Sequence, residues 1–77
     1  MRYRECFMDF EYNGIKFGIG NKGTFEILEK GSKYWAEGEL EDVAEEIQKL
    51  NASDTYKGIP VKFLAQCFRQ AAETFES

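Results

Sequence analysis

Histidine is absent from the 77-residue chain, which removes the commonest general base and the commonest metal ligand at once. Cysteine is scarce: Cys6 and Cys67 stand far apart and form neither a CxxC pair nor a zinc spacing. They read as two reduced, semi-buried thiols rather than as a disulfide. No stretch approaches the 18 or so apolar residues of a membrane span, so no membrane association is expected. Met-Arg-Tyr-Arg-Glu-Cys has no apolar run behind its charges, unlike a signal peptide, and a cytoplasmic setting is the expectation.

These absences bear on catalysis. A Ser, Thr or Cys nucleophile needs an activating base, and no motif sets a carboxylate or Lys beside Cys6 or Cys67. A carboxylate pair would need a pocket that drives two pKa values apart, which a domain this small seldom has. No enzymatic activity and no cofactor are expected. The acidic residues lack the ligand spacing and glycine of an EF-hand, so no metal site is expected either.

What is present suits one small packed domain. Hydrophobic residues make up 43% of the chain and include seven Phe, four Tyr and Trp35, enough for a core and against disorder. A chain of this length buries only about 60–65% of its unfolded surface, so its stability is marginal. The net charge of −4 disfavours direct nucleic-acid binding that relies on whole-protein charge.

Residues 1–36 read as a β-meander. Asn13-Gly14 between alternating apolar residues is the strongest short hairpin signal, and a two-residue turn fixes the register. Tyr12 then opposes Ile15, Phe10 opposes Phe17 and Met8 opposes Ile19 on one face, while Glu11 opposes Lys16 on the other. Gly20-Asn21-Lys22-Gly23 is a second turn leading to a strand at Thr24–Glu29. With no helix behind it, this turn is no phosphate loop. Glu29-Lys30-Gly31-Ser32 is a third turn, before a short strand at Lys33–Ala36.

From Gly38 the apolar period lengthens to that of a helix. Leu40, Val43, Ala44, Ile47 and Leu50 form one stripe of an acidic amphipathic helix over 38–51. Residues 51–58 read as a polar loop. A C-terminal helix follows over 59–76, with Pro60 in its first turn. Its stripe is Val61, Leu64, Ala65, Phe68, Ala71, Ala72 and Phe75, with Phe63 and Cys67 off it. The expected fold class is α+β, an antiparallel meander of three to four strands followed by two helices on one sheet face.

Two features bear on function. Glu37, Glu39, Glu41, Asp42, Glu45 and Glu46 put six carboxylates within ten residues, answered only by Lys49. Residues 1–36 carry +1 and residues 37–77 carry −5, an asymmetry that points to an electrostatic partner. First-turn acids complement the helix dipole by about 0.3–1 kcal/mol each. Glu41–Glu45 and Asp42–Glu46, however, are like-charge pairs costing about 0.2–0.5 kcal/mol each. Helix stability alone does not account for the second-turn acids. A solvated face is the common use of such a run, and a partner surface is the specific one. The other feature is aromatic: if Met8, Phe10 and Tyr12 face the core, Tyr3 and Phe7 face away, and either Tyr34 or Trp35 does too.

The leading expectation is a protein-binding domain whose acidic helix, flanked by Tyr34 and Trp35, docks on a larger protein with a basic surface. In size, lone-domain build and lack of catalytic equipment the chain resembles phage and mobile-element inhibitors, anti-CRISPR proteins among them. That resemblance, of type rather than of motif, implies a partner that itself handles nucleic acid. One alternative is single-stranded nucleic-acid binding through the sheet, with Arg2, Arg4, Lys16, Lys22, Lys30 and Lys33 for phosphates and Tyr3, Phe7 and Tyr34 or Trp35 for stacking. Another is a self-associating structural subunit, a homodimer formed through Tyr3 and Phe7.

Overall fold

A computed structural model describes residues 7–27, 31–34, 38–50 and 54–76, with residues 31–34 and 76 given by their backbone. The chain runs β1 (Phe7–Tyr12), β2 (Ile15–Gly20), β3 (Thr24–Ile27), β4 (Gly31–Tyr34), α1 (Leu40–Leu50), β5 (Thr55–Tyr56), β6 (Ile59–Pro60) and α2 (Val61–Glu76). Strands β1 to β4 pair in sequence order as one antiparallel sheet, and β5 and β6 form a separate two-stranded ribbon. The arrangement is α+β.

Asn13 and Gly14 hold φ of 53° and 88°, both left-handed, the mirror-image turn whose twist matches that of the flanking strands. The register that follows is the expected one: Tyr12↔Ile15, Glu11↔Lys16, Phe10↔Phe17 and Met8↔Ile19. At the second turn the Gly23 N–H donates to the Gly20 carbonyl at 3.1 Å. Strand β3 then sets Phe25 against Ile19 and Ile27 against Phe17.

The fourth strand starts earlier than expected. Its described part is Gly31–Tyr34, so Gly31 and Ser32 belong to the ladder and not to a turn, while Trp35 and Ala36 of the expected strand lie outside the described residues. Glu26↔Ser32 and Ile27↔Gly31 pairing extends β3 and β4 to that point. Glu29 and Lys30 of the expected turn lie outside the described residues.

Residues 54–60 also depart from expectation. In place of a polar loop running into a helix, Thr55–Tyr56 and Ile59–Pro60 pair across a Lys57-Gly58 turn. Its φ values, 54° and 87°, repeat those of Asn13-Gly14. Pro60 is therefore the last residue of β6, not a residue of the helix's first turn. It sits opposite Thr55, a position whose N–H the two-residue turn leaves out of the ladder. The next residue restores the alternation: the Val61 N–H donates to the Asp54 carbonyl at 2.9 Å, giving α2 one partner for its otherwise orphaned first donors.

The core lies between the sheet and the helices. Phe17, Ile19, Phe25 and Ile27 enter it from β2 and β3, Leu40, Val43, Ala44 and Ile47 from α1, and Leu64, Phe68, Ala71 and Ala72 among others from α2. Helix α2 meets β2 and α1 packs along α2, so α2 is covered on two sides. That explains why its buried face is wider than one stripe. Cys67 is 3% exposed, and Phe63 packs against Tyr12 (centroids 4.9 Å) and Phe17 (6.4 Å). Phe17 is the hub, stacked on Phe10 at 5.6 Å and tilted on Phe25 at 5.5 Å. The small ribbon docks through Tyr56 on Phe25 at 5.7 Å. Among the described residues no buried side-chain polar atom lacks a hydrogen-bond partner.

Candidate protein-docking surface

Helix α1 begins where Glu39 ends the preceding segment: its carbonyl accepts the Val43 N–H at 2.9 Å, the first bond of the helix. Four apolar residues, Leu40, Val43, Ala44 and Ile47, turn into the core. Burying residues of that size is worth roughly 1.5–3 kcal/mol for each larger side chain, which fixes the rotation of the helix about its axis. The rotation leaves Glu41, Asp42, Glu45 and Glu46 exposed, along with Glu39.

At helical spacing these acids fall into two rows. One is Glu41, Glu45 and Lys49; the other is Asp42, Glu46 and Leu50. The first row ends in a cation at the helix C-terminus, where it suits the dipole. On its core side stands Gln48, whose Oε1 accepts a 3.0 Å hydrogen bond from Arg69 Nη2 on α2. Positive charge therefore already borders the first row.

The second row ends differently. Leu50 was expected in the core stripe, but it is 62% exposed. The buried stripe ends at Ile47, and Leu50 is left beside the acids instead. An exposed leucine alone is ordinary. Set four residues beyond Glu46, it gives the acidic row an apolar end. Sequence periodicity could not reveal it, because periodicity reports spacing and not where packing stops.

Other expected site residues are distributed as follows. Tyr34 pairs by its backbone with Thr24 at the end of β4. Trp35, Glu37 and Tyr3 lie outside the described residues, as does Cys6. Phe7 is 40% exposed at the start of β1. A Cβ built on Gly18 would lie 3.0 Å from Phe7 Cδ2 and 3.6 Å from Asp9 Oδ1, so these side chains lean over the bare glycine backbone on the sheet face away from the helices. The register places Glu11 and Lys16, and Glu26 opposite Gly18, on that same face. Its described part thus carries three carboxylates against one lysine, a poor surface for phosphates.

Among the described residues no group of three or more His, Cys, Asp or Glu could hold a metal ion. Cys67 is free, and burial pushes its thiol up from 9.0 to about 12, which keeps it protonated and unreactive at neutral pH. No described helix is long and apolar enough to cross a membrane. No protein-family model matches the chain, and neither a curated protein nor a solved structure is found to be similar to it.

Proposed function

We propose that this chain is a non-enzymatic protein-binding domain, an inhibitor or adaptor of the phage and mobile-element type, that docks α1 on a basic surface of a larger protein. The observation that carries the reading is the row Asp42, Glu46, Leu50: two carboxylates and an exposed apolar side chain on one line of a helix whose opposite face is held in the core. Complementary charge speeds encounter and selects the partner, while an apolar side chain that loses its water at the centre of the contact slows release. Most of the transfer energy of Leu50, roughly 1.5–3 kcal/mol for a fully buried leucine, is unspent in the free chain. Trp35 and Glu37, just before the helix, belong to the same proposed surface.

The test is an affinity pull-down comparing wild type with Glu45→Gln/Glu46→Gln and with Leu50→Ser. None of these removes a core side chain or a first-turn acid, so folding is retained and can be verified by circular dichroism. A basic protein retained by wild type and lost with either variant supports the reading. Equal retention by all three moves the contact away from α1.

A further inference from the structure

Strand β1 is an edge strand among the described residues, since β2 is its one neighbour in the sheet. The two-residue turn decides which of its backbone groups are free. Tyr12 and Ile15 flank the turn and exchange hydrogen bonds, so Tyr12, Phe10 and Met8 bond to β2 while Glu11, Asp9 and Phe7 direct N–H and C=O outward. The ribbon obeys the same alternation, with its bond from Val61 to Asp54.

The side chains follow a matching pattern. Met8, Phe10 and Tyr12 face the core yet are only half-buried, whereas Phe17 and Ile19 opposite Phe10 and Met8 are fully buried. The cover that buries the β2 side chains fully reaches the β1 side chains only in part, with Phe63 of α2 against Tyr12. On the other face, Asp9 and Glu11 are exposed at alternate positions. The strand contains no proline or lysine, and the charges that guard its edge are the two acids Asp9 and Glu11.

Charge decides what could add to this edge. In the symmetric antiparallel pairings of two β1 strands centred on Asp9 or on Phe10, Asp9 opposes itself or Glu11, so the registers that overlap the strand most fully set like charges against each other. A strand with apolar residues on one face and Lys or Arg on the other meets complementary partners on both. We propose that β1 is a strand-addition site for an extended segment of another protein in which basic and apolar residues alternate. The bound segment pairs with the outward groups of Phe7, Asp9 and Glu11, completes the apolar cover over Met8, Phe10 and Tyr12, and sets its cations against Asp9 and Glu11. This site is separate from the α1 surface.

The probe is an end-capped octapeptide of alternating Lys and Val, titrated into the full chain with amide hydrogen exchange read residue by residue. Saturable binding that slows exchange at Phe7, Asp9 and Glu11 is expected, and a Glu-for-Lys peptide does not bind. Asp9→Asn and Glu11→Gln each weaken binding about two- to fivefold. Asp9→Pro abolishes it, because it removes an outward N–H that makes no bond within the sheet. Protection confined to α1, equal binding of the acidic peptide, or unchanged affinity in Asp9→Pro would overturn the proposal. So would a dimer in sedimentation that already protects the β1 amides without peptide. Loss of peptide binding leaves the α1 pull-down unaffected, so the two proposals fail independently.

Discussion

Cys67 shows how burial alone sets the chemistry of a residue. Its thiol is held near 12 in the folded chain against 9.0 when unfolded, by loss of hydration. Below pH 9 both states carry the proton and the residue contributes no pH dependence. Between about 9 and 12 only the unfolded chain releases it, so stability falls as pH rises through that window. The expected result is that the denaturation midpoint of wild type drops more steeply above pH 9 than that of Cys67→Ala. Parallel pH profiles for the two would contradict it. Native Cys67 should also resist alkylation at pH 8 until the chain unfolds.

Gly58 gives the second residue-level case. Its φ of 87° and the 3.1 Å approach of a would-be Cβ to Ile15 Cδ1 make it a position for glycine alone. Gly58→Ala should destabilise the chain by about 1–2 kcal/mol, measured by chemical denaturation. A neutral effect would mean that the ribbon does not hold its turn against β2.

Helix α1 carries a conflict between its charges. Glu41 and Asp42 favour the dipole, and Lys49 complements it at the other end. Glu46 sits four residues from Asp42 and repels it, with no described lysine at the matching place in its row, where Leu50 stands instead. Glu46→Gln should therefore stabilise the free chain by about 0.2–0.5 kcal/mol, raising Tm by about 1–4 °C, while weakening partner binding. A calorimetric scan showing a lower Tm would assign Glu46 a structural role in place of a binding one.

The same elements show what sequence can and cannot convey. The β1–β2 register was legible to the residue because Asn13-Gly14 and the period-2 pattern impose the same pairing. The β5–β6 ribbon was not legible. Two-residue strands have no period, and Lys57 at positive φ carries no compositional signal. Leu50 and Cys67 were misplaced for one reason, that a helical stripe marks a direction but not the extent of the neighbours that bury it. The exposed acids of α1 were legible because the apolar stripe leaves them no other side. Their apolar end at Leu50 came from packing.

At the scale of the molecule, the charge division of the chain becomes a division in space. The cover over the sheet is made by α2 with α1 packed along it, and α1 carries the acidic cluster on its outer side. The sheet's β1 edge, with Asp9 and Glu11, is a second acidic feature contributed by the half of the chain whose formal charge is +1. Both face outward from a core that Phe17 ties together.

Whether α1 meets a partner through the Asp42, Glu46 and Leu50 row is read by site-specific photo-cross-linking. A photoreactive amino acid is placed at position 50 in one protein and at position 66, in place of the exposed Gln66 of α2, in another. A cross-link to a basic protein from position 50 and none from position 66 is the expected result. Cross-links from position 66 alone, or equally from both, would contradict it.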